Sequence, residues 1–449
     1  MRGEAGDKEA CVTTCDVLVV GGGPGGTTVA TLLARQGYKV IIAEKAHHPR
    51  FHIGESLLPA NLPLLKELGV AQAVHDIGME KWGAEFISPW HEPHHQEFQF
   101  AEAWNKDMPH AYQVKRADFD NILFRNAEKS GVQTLEGCRV RTVTFLDGGQ
   151  GVRVHAQHDS GSEQEFEARF LVDASGRDTF LGNRQQSKER NPRHNSAALY
   201  AHFRGVARNE GRAEGNISIF WFDHGWFWCI PLPDGATSVG AVAWPYYMKT
   251  RDKPVEAFFQ DTIALCPALV ERLAQAELIS AVEATGNFSY ACKHSWGPNH
   301  LLVGDAFAFI DPVFSSGVML AMHGGFLAAE AIDTCLKTPS LARRALRRYD
   351  RKLRYGPRKF SWFIYRVNHP SMRDLFMGPR NVFRVKEALL SVLAGDIFGD
   401  TPIWRSLTAF KALYYVHSLR HPKRSLMAWR KRRKQRQVFE NPSPAVEAK

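Results

Sequence analysis

DVLVVGGGPGGTTVATLLARQGYKVIIAE, residues Asp16 to Glu44, is the stretch whose reading decides the fold. An apolar run, Val17 to Val20, passes into Gly21-Gly22-Gly23-Pro24-Gly25-Gly26, and a helical pattern then leads to a second apolar run that ends at Glu44. Strand, glycine turn, helix, strand and acid together make a βαβ unit with G-x-G-x-x-G at its first turn. Gly21 permits the tight turn, Gly23 lets backbone amides approach a pyrophosphate, and Gly26 lets helix and strand pack closely. The helix N-terminus then faces the phosphates, and Glu44, with Lys45 beside it, reaches a ribose. A glycine-rich structural turn is the bland alternative, and the agreement of strand, helix and acid outweighs it. The unit implies a dinucleotide without separating nicotinamide from flavin.

The remaining composition narrows the class. A chain of 449 residues with 44% hydrophobic content can bury a sizeable core in two or three domains, or in one frame carrying an inserted sheet. No run of about 18 uncharged apolar residues occurs, so no membrane span is expected. The start, MRGEAGDKEACVTT, lacks an apolar signal core, and the seven cysteines are scattered without a C-x-x-C pair. A reduced, cytoplasmic chain without structural metal is the expectation. The formal charge of +10 is uneven: Lys337 to Lys359 and Lys423 to Arg436 carry 18 of the 57 basic residues against a single acid, Asp350. Nucleic acid is not an expected partner, because no binding motif accompanies that charge.

Along the chain, residues 1 to 14 read as a frayed start. A short helix is expected from about Asn61 to Leu68, after Gly54-Glu55-Ser56, and another from Arg116 to Ser130. Strands follow near 132–135 and 139–145, then a hairpin leading into Phe170 to Asp173 and the turn Ala174-Ser175-Gly176-Arg177. From Ala197 to Pro245 short strands alternate with turns, which reads as an antiparallel sheet inserted into an α/β frame. A helix is expected from Val255 to Leu273. The frame then resumes with His300 to Val303, Gly304-Asp305 and a long helix from Ser316 to Leu336 rich in small residues. From about Ser340 the chain reads as helical, basic and aromatic.

Three elements bear on the cofactor. Leu301-Leu302-Val303-Gly304-Asp305 is a buried strand ending in Gly-Asp before a helix, which suits a carboxylate holding a ribityl chain. The order of the glycine fingerprint, Asp173-Ala174-Ser175-Gly176 and then Gly304-Asp305 resembles flavin monooxygenases of the aromatic hydroxylase fold over residues 14 to 336. With a single G-x-G-x-x-G, no separate nicotinamide domain is expected. Within that resemblance Arg116 matches the arginine that contacts FAD at the start of its helix. The fold it implies is α/β: a Rossmann-like FAD-binding domain from 14–80, 110–190 and 283–338, an inserted antiparallel substrate-binding sheet from 81–109 and 191–282, and a C-terminal helical, basic region from 339 to 449.

Trp226-Phe227-Trp228-Cys229-Ile230-Pro231 is, taken bare, an aromatic strand that packing alone could explain. It also matches the W-x-W-x-I-P signature of flavin-dependent halogenases. Lys81-Trp82-Gly83-Ala84-Glu85-Phe86 fits that family's lysine ahead of a G-A-x-F segment, and Asp311 to Val318 resembles its halide-binding loop. The resemblance implies FAD used as FADH2 from a separate flavin reductase, together with O2 and chloride or bromide. The Ser316 and Gly317 amides, at a helix N-terminus, would bind the halide, and Gly317 would also face the flavin. Lys81 would hold an electrophilic halogen against an electron-rich ring, and Trp226 and Trp228 would wall the flavin from the substrate. Out of context, Lys81 is more simply a surface lysine.

One departure shapes the substrate expectation. Tryptophan halogenases carry a glutamate where this chain has Phe314, so Phe314 is expected beside a more activated ring, a phenol or a pyrrole. Several enzymes of that branch act on substrates tethered to an acyl or peptidyl carrier protein. Such carriers are acidic, and the basic segments could receive one; a solvated helix face is the plain alternative. Trp404, Leu407, Phe410, Leu413 and Tyr414, at helical spacing beside basic residues, also fit peripheral contact with anionic lipid, though such a stripe is more often core. A hydroxylase or related FAD oxidoreductase of the same fold is the runner-up.

Overall fold

The computed structural model of the protein describes residues 12–440 apart from 192, 193, 195, 287 and 288, with side chains described as far as residue 433. Its first sheet is built on the opening unit. Thr13–Val20 lies parallel to Glu163–Asp173 on one side, with Val20 opposite Asp173, and to Val40–Ala43 on the other, with Val20 opposite Ala43. Gln133–Leu135 extends the parallel row beyond Val40–Ala43, and His300–Leu302 extends it beyond Asp173. Val20, Ala43, Asp173 and Leu302 therefore finish on one edge, the carboxyl edge where α/β sheets place their ligands. The strands read as continuous Val/Ile/Leu runs because helices cover the sheet: Val17, Val19, Ile41, Leu171 and Val172 are all fully buried. Pro24–Arg35 and Gly317–Lys337 pack against each other there.

The second large sheet runs in the order Glu277–Leu278, Ala197–Arg204, Ala236–Ala243, Gly225–Pro231, Ile217–Phe222, Gly83–Ile87, His95–Gln99. Its pairs are antiparallel except one, Ile217–Phe222 with Gly83–Ile87, which is parallel. Gly83–Ile87 enters from far upstream rather than through a hairpin, so no tight turn dictates its direction. The period-two alternation of Trp226-Phe227-Trp228-Cys229-Ile230 sends its residues to opposite faces. Trp226, Trp228 and Ile230 pack toward the C-terminal helices with Phe360, Phe376 and Leu389, whereas Phe227 and Cys229 pack with Phe259 and Leu269 on the other face.

Two expectations are corrected locally, and one choice between readings is decided. The helix expected over 255–273 is two, Val255–Ala264 and Pro267–Arg272, because Pro267 cannot continue a helix and starts a new one at its first position. Thr13 and Thr14, expected to fray, pair with Phe166 and Glu167 in the first sheet; residues 1–11 lie outside the described residues. Of the C-terminal stripe, Leu407, Phe410 and Tyr414 are core, the commoner of its two expected readings, with Phe410 stacked on Phe363, while Leu413 stays partly exposed. Among the described residues no helix is long and apolar enough to cross a membrane.

Candidate flavin and halide site

A cavity of about 780 Å³ opens at the carboxyl edge of the first sheet and continues to the face of the second. Gly21, Gly23, Glu44, Arg116, Asp305 and Gly317 all line it, so the glycine loop, the Gly-Asp turn and the long helix N-terminus share one space. Trp226 and Trp228 close its far side.

The glycine loop is held from both directions. Gly21 has φ +104°, and a Cβ there would come within 2.4 Å of the Ala174 carbonyl oxygen, so only glycine fits where the loop crosses the Asp173-to-Gly176 turn. The Glu44 carboxylate accepts from the Gly22 amide at 2.7 Å and the Ala46 amide at 2.9 Å. The acid expected to take a ribose hydroxyl thus pins the glycine loop. Lys45 sits at the cavity wall in an ion pair with Asp178. Arg116 is buried against Asp120 in a bidentate pair at 2.8 and 3.0 Å and donates to the Ile53 carbonyl at 3.2 Å. It therefore clamps the segment Ile53-Gly54, which lines the cavity.

Asp173 does not face a ligand: its carboxylate accepts from the Ser175 and Leu181 amides at 3.1 and 2.7 Å and shapes the turn. Asp305 does line the cavity, and burial of its carboxyl pushes it up to about 6, against the opposing charges of Arg177 and Arg116. A carboxyl so placed is short of donors, which the hydroxyls of a ribityl chain supply. The volume of the cavity, with the glycine loop and Asp305 both in its wall, fits an FAD.

The aromatic wall depends on another glycine. Trp228 pairs across the sheet with Gly240, and a Cβ at Gly240 would meet the indole at 2.2 Å. The indole ring lies where that side chain would be and donates from Nε1 to Ser238 Oγ at 3.1 Å. Trp226 and Trp228 stand with ring centroids 6.1 Å apart.

At the helix N-terminus the loop turns on Ser315, which has φ +54°. Ser316 is buried at the N-cap position of Gly317–Lys337, without a side-chain capping hydrogen bond and outside the cavity wall, which Ser315 and Gly317 border. The first-turn amides of a helix have no intrahelical acceptor, so they and the helix dipole present donors to an anion. Phe314 lies outside the cavity wall: it is buried and stacks parallel to Phe376 at 6.5 Å.

Lys81 is 1% exposed and is not in the cavity wall. Its Nζ donates to Ser56 Oγ at 2.9 Å and to the Leu57 carbonyl at 3.1 Å, and Ser56 does line the cavity. One hydroxyl therefore separates the lysine from the flavin space. No carboxylate among the described residues pairs with Lys81, and burial lowers its ammonium to about 7. Two neighbours escaped sequence reasoning. Glu55 lines the cavity and pairs with His202 at 2.9 Å. Burial opposes charge on His202, but the hydrogen bond and charge of Glu55 outweigh it and raise its pKa. Gly54-Glu55-Ser56 was legible only as the segment ahead of a helix; the pairing of Glu55 with a histidine of the second sheet, 147 residues on, left no local signal.

With this geometry in hand, comparison with known proteins gives consistent matches. The tryptophan halogenase family matches residues 99–374, and the FAD-dependent oxidoreductase family matches residues 16–181. A tryptophan 2-halogenase of Chondromyces crocatus is 34% identical over 333 residues, which is 71% of this chain and 61% of that enzyme's length. The 1H-pyrrole-2-carbonyl-[peptidyl-carrier protein] chlorinase of Pseudomonas fluorescens is 30% identical over 405 residues, 85% of this chain and 89% of that one. The solved structure of the myxobacterial chondrochloren halogenase superposes with a TM-score of 0.75 at 33% identity, covering 91% of this chain and 97% of the other.

Proposed function

Because the chain belongs to the flavin-dependent halogenase family, we propose that it halogenates an electron-rich ring, a phenol or pyrrole, through Lys81, using FADH2, O2 and chloride or bromide. One observation carries the reading: the glycine loop, the Gly317 helix end and the paired tryptophans wall a single cavity, and Lys81 waits one hydroxyl behind it. Bound and reduced, the flavin supplies with O2 the two-electron oxidant that makes halide electrophilic.

The protein's own groups do the rest. Gly21, Gly23 and Gly26 bring backbone to the pyrophosphate, Glu44 fixes their loop, and Asp305 accepts from the ribityl hydroxyls. Amides of Ser316 and Gly317 hold the halide at the helix end. Trp226 and Trp228 exclude the aromatic substrate from the flavin, so oxidised halogen rather than oxygen reaches it. Lys81, near neutrality partly an unprotonated amine, receives the halogen as hypohalous acid: an N–X bond forms, water leaves, and the ring later takes the halogen and loses a proton. With Phe314 where a tryptophan-directed enzyme has a glutamate, no carboxylate at that position takes up the ring proton, which favours rings activated enough to lose it to solvent.

Partners follow from the same chemistry. A separate flavin reductase supplies FADH2, since no second dinucleotide fingerprint occurs. A carrier-tethered substrate is supported by the named pyrrolyl-carrier chlorinase and by the helix Ala342–Leu353, which buries Leu346, Tyr349 and Leu353 and turns Arg343, Arg344, Arg347, Arg348 and Arg351 outward. A second surface favours contact with anionic lipid: Leu419, Met427 and Trp429 are 79%, 69% and 56% exposed among the cations of the last two helices. Co-sedimentation with anionic vesicles, lost in Leu419→Ser/Met427→Ser, tests that contact. The proposed reaction is tested by supplying the protein with a flavin reductase, NADH, FAD, air, bromide and a panel of free and carrier-bound phenols and pyrroles. Brominated product by mass spectrometry supports it; hydroxylated product without halogen favours the hydroxylase reading.

A further inference from the structure

Beside the helix end that holds the proposed halide site lies a buried polar cluster. Asp311 opens the loop that ends at Gly317 and is 2% exposed. Its Oδ1 accepts from the Val313 amide at 3.3 Å and so fixes the Pro312–Phe314 turn. That turn closes through the Ser315 amide on the Pro312 carbonyl at 2.8 Å, places Ser315 in the left-handed region, and delivers Ser316 and Gly317 to the helix start.

The other carboxylate oxygen is held from the second sheet. Asp311 Oδ2 accepts from Ser196 Oγ at 2.8 Å and from His194 Nε2 at 3.1 Å. Ser196 and His194 are equally buried and lie just before the strand Ala197–Arg204. The His194 ring is seated against Tyr365 and Trp244, with centroids 4.9 and 5.2 Å away, so it has little room to follow a moving carboxylate.

A carboxylate buried to this degree is tolerated only while donors satisfy it. Remove one and the least costly response is rotation of Asp311, which releases the Val313 amide and with it the turn that aims the helix end. An under-compensated carboxylate in the same loop also repels an anion. We propose that His194 and Ser196 are positioning residues for halide binding: acting through Asp311, they tie the halide loop to the second sheet and set the direction of its amides. The inference rests on the reading of Ser316 and Gly317 as the halide site.

The test uses the full chain reconstituted with FAD. Sodium bromide is titrated at constant ionic strength against sodium gluconate, and the rise of the thermal-unfolding midpoint gives a half-saturation point without turnover. His194→Ala and Ser196→Ala each raise that point about tenfold, the loss of one hydrogen bond to a charged group, while FAD affinity stays unchanged. Under turnover the same variants raise the bromide KM and leave kcat at saturating bromide near wild type. His194→Gln, which restores a donor at the Nε2 position, recovers most of the affinity. If His194→Ala does not fold, Ser196→Ala, a one-atom deletion, carries the test. A wild-type bromide response that these variants leave unchanged overturns the inference alone; no response in wild type overturns the halide-site reading and the inference with it.

Discussion

Lys81 is the residue on which the proposed chemistry turns, and its burial gives two pH signatures. An unfolded lysine titrates near 10.5, and in the folded chain desolvation lowers it to about 7. Between those values the unfolded state holds the extra proton, so stability rises with pH across the window; the penalty is absent above about 10.5 and levels off below about 7. Each unit within it carries at most about 1.4 kcal/mol. Lys81→Met flattens that slope, which urea unfolding between pH 7 and 10 measures. The share of oxidant captured as product should also rise through about pH 7 as the free amine appears. At Asp305, replacement by Ala removes the proposed acceptor for the ribityl hydroxyls and should weaken FAD binding about tenfold, read by flavin fluorescence. Lys81, Asp305 and the glycines could be picked from the sequence because short motifs surround them. Glu55 with His202, and Asp311 with His194, could not, because a hydrogen bond between distant segments has no local period.

At the scale of elements, the strand Gly225–Pro231 acts as wall and core at once. Its alternation was readable, but that Trp228 needs Gly240 opposite is a cross-strand fact set by register. Gly240→Ala should overpack the sheet, cost about 1–3 kcal/mol of stability, and displace the indole from the cavity. Chemical denaturation checks the first effect, and a larger peroxide-to-product ratio checks the second. The long helix was legible from its small residues, with its start one residue later than expected, at Gly317. The split at Pro267 was legible too, had the proline been given its usual weight over the apolar periodicity on either side.

Over the whole molecule, the parallel frame followed from one βαβ unit, whereas the second sheet's order and its single parallel pair depend on chain crossings that no strand records. The uneven charge was visible from the start, and its placement on an exposed helix face gives it a testable use. Reversing Arg343, Arg347 and Arg351 to Glu should raise the KM for a carrier-bound substrate about tenfold and reduce its salt sensitivity, leaving turnover of the free ring unchanged; a uniform effect on both substrates would assign the face to folding instead. The central claim is that flavin oxidation and ring halogenation are separable steps joined at Lys81. Its most direct measurement is a paired assay of peroxide and halogenated product, by colorimetry and mass spectrometry, for wild type and Lys81→Ala at saturating bromide. The account predicts that NADH-driven peroxide release continues in the variant while product falls at least about 100-fold. Undiminished halogenation by Lys81→Ala would contradict it.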